Sequence, residues 1–128
     1  MIASLRRPSP EFLQWFGLLG AALTWTVQLV VGFGVTVARC GAANGVLGVD
    51  VKVWEIGLMA GALALALLAE TAAVTLFLRT REVDESAPPP AGRHHFFAVA
   101  ATLGNLLFLM IILLSGIGAL LHMSCQQA

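Results

Sequence analysis

Four polar side chains stand where hydrocarbon would tolerate them least. Glu70 is the one acidic residue deep within a long apolar run, Asn105 sits in a second such run, and Thr24 and Gln28 sit in a third. Polar groups at such positions mark either an ion or proton pathway or a hydrogen-bonded contact between helices. In the first reading Glu70 relays protons or holds a cation. In the second it is protonated, or hydrogen-bonded to Asn105 and Thr24, and sets helix register. A lone carboxylate with no second acid, Lys or His at its depth makes a poor relay, so the structural reading is the stronger.

Two cysteines and three histidines complete the reactive inventory. Neither Cys40 nor Cys125 belongs to a Cys-x-x-Cys pair, which argues against thiol–disulfide exchange chemistry. They allow one intrachain pairing. Free thiols are one alternative, and a metal site shared with a partner chain is another, since His122 is three residues from Cys125. His94 and His95 stand nearly 30 residues from His122, about one membrane thickness along a helix. They cannot ligate one metal within a single chain, and the spacing disfavours a haem held inside it. The run Arg93-His94-His95 is expected at lipid headgroups or on a partner's surface. His-Glu-x-x-His, phosphate-loop, nucleotide-fingerprint and Ser/His/Asp patterns are missing from the sequence. No catalytic residue, cofactor ligand or metal ligand is therefore assigned.

These residues sit in an unusual matrix. Of 128 residues 59% are apolar and only 11% charged, against about 25% charged in an average soluble domain. The mean hydropathy is +0.89. Such a chain lacks the polar surface to coat a water-soluble globule, and it is too apolar to be disordered. Seven basic residues balance seven acidic ones with no basic run, which leaves no electrostatic reason to bind nucleic acid.

The elements that position the polar residues are three apolar stretches, from about Phe12 to Ala38, Trp54 to Leu78 and Phe96 to Leu121. Roughly 20 apolar residues suffice to cross a bilayer core of about 30 Å, and backbone groups in lipid must pair within the segment. The chain is thus expected to be all-α, one domain over 1–128 with three transmembrane helices. The first stretch is too long for a signal-peptide core and is kept as a helix. Arg6, Arg7, Arg79, Arg81 and Arg93 lie on one side, Arg39 and Lys52 on the other. The positive-inside rule then puts the N-terminus and the 79–95 linker in the cytoplasm and the C-terminus outside. Trp15 and Trp54 stand at span ends, where aromatic belts form. Both cysteines fall on the outer face, which in a bacterium is oxidising, and a disulfide between them is the leading reading.

The linker carries Glu82, Asp84 and Glu85 and then Pro88-Pro89-Pro90, which reads as a solvated charge run followed by a stiff extended spacer. The outer loop from Gly41 to Val53 reads as compact. Helical spacing places Gly20, Thr24, Gln28 and Gly32 on one stripe, Ala62, Ala66, Glu70 and Ala73 on a second, and Ala98, Asn105, Ile112 and Gly116 on a third. Small residues permit close helix approach, and polar ones bond across it. Glu70 lies about 6 Å and Asn105 about 4–5 Å to the cytoplasmic side of their span midpoints. The two are expected to meet.

The third segment reads Gly92-Arg93-His94-His95-Phe96-Phe97, then Gly104-Asn105-Leu106-Leu107-Phe108, then Ile111-Ile112-Leu113, with Cys125 closing the chain. With Phe16-Gly17-x-x-Gly20 and Trp25-x-x-Gln28 in the first span, this resembles small bacterial membrane proteins encoded beside haem-copper cytochrome oxidases. The resemblance implies an accessory subunit or assembly partner of a respiratory complex in the bacterial cytoplasmic membrane. It implies larger redox subunits and lipid as partners and no soluble substrate, with haem and copper only in the partner subunits. It carries over no catalytic residue. The alternative expectation is a small homo-oligomeric channel or proton-coupled transporter using Glu70. A holin-like lysis protein fits less well, because Gln126-Gln127-Ala128 lacks a charged tail.

Overall fold

The computed structural model describes residues 7–41, 50–122 and Cys125. Arg6, most of the loop between the first two spans and the terminal Gln126-Gln127-Ala128 lie outside the described residues. Three helices follow in order: α1 (Pro10–Cys40), α2 (Val51–Thr80) and α3 (Ala91–Leu121). Each is long and apolar enough to cross a membrane.

Side-chain caps start α1 and α2, and each of the three helices begins before its apolar stretch. Ser9 Oγ accepts from the Phe12 N–H at 3.2 Å, with Pro10 in the first turn where it sacrifices no hydrogen bond. Asp50 caps α2 by accepting from the Lys52 N–H at 3.0 Å. A 31-residue helix is about 46 Å long, so its ends reach past the hydrocarbon into the headgroup layers.

All three helices touch one another in an up-down-up bundle. One end carries the start of α1, the end of α2 and the start of α3. The opposite end carries Cys40 and Cys125, which are joined as a disulfide pair with Cα atoms 5.1 Å apart.

The interior is made of small residues and the exterior of large ones. Ala62, Ala66, Ala69 and Ala73 of α2 are buried with Ala21 of α1 and Ala98, Ala101 and Ile112 of α3. Leu, Val and Phe side chains such as Leu23, Val30, Phe33, Leu107 and Leu114 face outward. A water-soluble bundle would reverse that order, whereas in lipid the helices associate by close approach of small residues. Gly17 lies so close to α2 that a Cβ there would stand 3.1 Å from the Ala73 nitrogen, and a Cβ on Gly20 would stand 2.8 Å from that of Ala69. Aromatic pairs fill the α1–α3 groove, Trp15 with Phe97 at 6.5 Å and Trp25 with Phe108 at 5.9 Å between ring centroids.

The linker between α2 and α3 departs from the extended spacer expected of three prolines. The Val83 N–H bonds the Thr80 carbonyl and the Ala87 N–H bonds that of Asp84, each at 2.9 Å, which folds the segment into turns. Asp84 Oδ1 also accepts from the Ser86 N–H and hydroxyl. Gly92 lets the Ala87 carbonyl approach α3 in space a Cβ would occupy. These contacts return the chain onto the bundle, and α3 begins at Ala91, five residues before the apolar run.

Candidate functional site

The deepest polar group is Asn105, 1% exposed. Its Nδ2 donates to the Gly17 carbonyl of α1 at 2.9 Å. The acceptor is the α1 backbone itself, while the missing side chain of Gly17 faces Ala73 of α2. Glu70 comes to the same level from α2, within reach of the Asn105 amide. One of its oxygens, Oε2, is buried with no hydrogen-bond partner. Three helices thus contribute a backbone carbonyl, a carboxyl group and an amide to one polar seam.

Thr24 and Gln28 do not join it. The Thr24 hydroxyl donates to the Gly20 carbonyl of its own helix at 2.7 Å, and among the described residues no hydrogen bond joins it to Glu70. Gln28 lies farther along α1, lines a cavity near the disulfide end, and leaves Oε1 buried without a partner. The stripe Gly20, Thr24, Gln28 and Gly32 is only half-buried. The buried face of α1 is Leu13, Gln14, Gly17 and Ala21, rotated from it. On α3 the stripe Ala98, Asn105, Ile112 and Gly116 is the buried one.

Gln14 was not anticipated. It is 2% exposed, and its Oε1 has no partner. Its signal lies in the spacing Gln14, Gly17, Ala21, a polar-and-small series at i, i+3 and i+7.

The histidine run also corrects the sequence reading. Arg93 is exposed and free to meet headgroups or a partner, but His94 and His95 are buried within this chain's own bundle. Because α3 begins at Ala91, both fall in its first turns, against the end of α2. His95 stacks on Phe77 with centroids 5.7 Å apart, and its Nδ1 is 3.2 Å from the Thr80 hydroxyl. That hydroxyl donates to the Leu76 carbonyl, so His95 is the donor in the pair. Beside them Arg79 donates to the Pro8 carbonyl at 3.1 Å, tying α2 to the segment that leads into α1.

At the other end His122 Nδ1 lies 2.7 Å from the Gly118 carbonyl. His122 and the histidine pair are thus held at opposite ends of α3. Among the described residues no three His, Cys, Asp or Glu side chains group as a metal site would require.

The architecture defines a multi-pass helical membrane protein. No protein-family model, curated protein or solved structure matches the chain.

Proposed function

We propose that the protein is a non-catalytic accessory or assembly subunit of a bacterial membrane respiratory complex, associated with a haem-copper cytochrome c oxidase or its supercomplex. The single observation that carries a structural role is the Asn105–Gly17 bond with Glu70 beside it. The one ionisable group deep in the spans adjoins an amide that locks two helices, rather than a second titratable group. A rigid, self-contained bundle with an outward apolar surface suits lateral association with larger subunits. The partner is assigned from the resemblance of the third segment, from Gly92 to Leu113 with Cys125. Haem and copper belong to the partner subunits in this reading, and this chain binds lipid.

The membrane is the bacterial cytoplasmic membrane, with the N-terminus and the 79–95 linker inside. Five arginines against Arg39 and Lys52 support that orientation.

A second reading rests on the unpartnered Glu70 Oε2. In a homo-oligomeric channel or proton-coupled transporter, that oxygen would take up a proton or cation on a path completed by other copies.

The test is purification of the tagged protein in mild detergent, followed by native electrophoresis and a reduced-minus-oxidised spectrum. Stoichiometric haem-bearing subunits are expected. A haem-free homo-oligomer would sink the accessory role in favour of the channel.

A further inference from the structure

Between the helices, towards the disulfide end, lies a cavity of about 510 Å³, within the range of about 300–1,000 Å³ typical of small-molecule sites. Its walls run from Trp25 and Gln28 near the middle of α1 to Glu55 early in α2 and His122 just past α3. Leu29 and Phe33 of α1 also line it, and they are 52% and 70% exposed on the face that meets lipid. An amphiphile dissolved in the bilayer reaches the cavity past these two side chains without passing through water. Gly118 adds depth, since a Cβ built there meets nothing within 4 Å.

Neutral polar groups do not decide what this cavity takes, because its lining holds donors, the Gln28 amide and the Trp25 indole N–H, as well as acceptors. Charge does decide it. Glu55 is the one carboxylate of the lining, and no Lys or Arg is among the described lining residues. Lys52 stands about a turn earlier on α2, is exposed and takes no part in the lining. It lies farther from the bilayer centre than Glu55, where water and salt screen its pull. On the cavity side Glu55 adjoins walls that include Leu29, Phe33, Val37 and Leu58, and charges beside such low-dielectric walls interact more strongly than in water. A carboxylate so placed attracts a cation carried on an apolar tail, and an ammonium N–H can add a charge-assisted hydrogen bond. A phosphate or carboxylate head would be repelled by Glu55 and would find no basic partner in the lining.

We propose that this cavity binds a lipid-soluble amine, its ammonium head paired with Glu55 and its tail lying past Phe33 and Leu29 towards Trp25. The test uses the full chain with Trp15→Phe and Trp54→Phe, which leaves Trp25 as the sole indole, in phosphatidylcholine vesicles. A pH of about 8, above the ordinary histidine range, leaves the carboxylate as the charge of the lining. Trp25 fluorescence is titrated with a long-chain amine, the matching alcohol and the matching fatty acid, each brominated at mid-chain and scored by its mole fraction in the bilayer. The amine is expected to quench saturably at a mole fraction at least tenfold below the other two. Glu55→Gln keeps the shape and removes the charge, so half-saturation by the amine should rise at least tenfold while that by the alcohol stays unchanged. Gly118→Leu fills the open space and should weaken amine binding by a similar factor with Glu55 in place. Unchanged circular dichroism and an intact disulfide would show that both variants are folded. Equal quenching by amine and alcohol, tighter binding of the acid, or an unaltered amine titration in either folded variant would each overturn the proposal.

Discussion

Asn105 on α3 and Gly17 on α1, 88 residues apart in sequence, meet through one hydrogen bond of 2.9 Å from the Asn105 amide to the Gly17 carbonyl. Only residue 105 contributes a side chain to the bond, and a Cβ at residue 17 would press on Ala73 of α2 rather than on α3. Replacing Asn105 with Leu should destabilise the bundle by about 1–2 kcal/mol, the range for interhelical polar contacts in membranes. Reversible unfolding in mixed micelles would measure it. A change below about 0.3 kcal/mol would show that the bond adds little beyond what lipid-exposed partners supply.

Close approach of α1 and α2 yields a prediction with an internal control. Gly17→Leu has no room against the Ala73 backbone and should cost about 1–3 kcal/mol or more, as over-packed sites do. Gly34→Leu enters open space and should stay within about 0.5 kcal/mol of wild type. The same unfolding assay ranks them, and equal losses would contradict the assigned α1 face.

Much of this was legible in the sequence because hydropathy reports spans directly. Three long apolar runs leave no soluble alternative, and the depth of Glu70 and Asn105 follows from the rise of a helix. The α3 stripe was equally legible, since Ala98, Asn105, Ile112 and Gly116 stand out among large residues. The face of α1 was not, because Gly17, Gly20, Gly32 and Gly34 offer several small-residue stripes and only contact with α2 and α3 selects one. Burial of His94 and His95 was hidden for another reason. Helix α3 starts before its apolar run, at a turn built from Asp84, Pro90 and Gly92, and hydropathy does not see turns.

The disulfide has a chemical readout. Blocking free thiols before denaturation should label neither cysteine in the wild-type protein, while reduction first should label both. A Cys40→Ser/Cys125→Ser variant should then migrate differently from the oxidised wild type on a non-reducing gel. Full labelling without reduction would contradict the pairing of Cys40 with Cys125.

The linker turn has a pH signature. Hydrogen bonds from the Ser86 N–H and hydroxyl hold the Asp84 carboxyl below the usual aspartate range. A depressed folded pKa means that the group favours the turn above its unfolded pKa and that this support is lost as pH falls through the folded value. Carboxyl titration by NMR should give Asp84 a midpoint below the ordinary aspartate value, and Ser86→Ala should raise it. An unmoved midpoint in Ser86→Ala would remove Ser86 hydroxyl bonding as a cause.

The most direct measurement of the central claim is Glu70→Gln, scored on two readouts from one preparation. Co-purifying subunits are quantified in mild detergent, and proton flux is followed in vesicles reconstituted with wild-type or variant protein. If Glu70 lies in a seam that holds the helices, the amide preserves the contact with Asn105. Partner recovery and the low background flux should then both match wild type. Wild-type flux well above protein-free vesicles, abolished in Glu70→Gln while assembly stays intact, would contradict the structural account and make Glu70 an ion-carrying group.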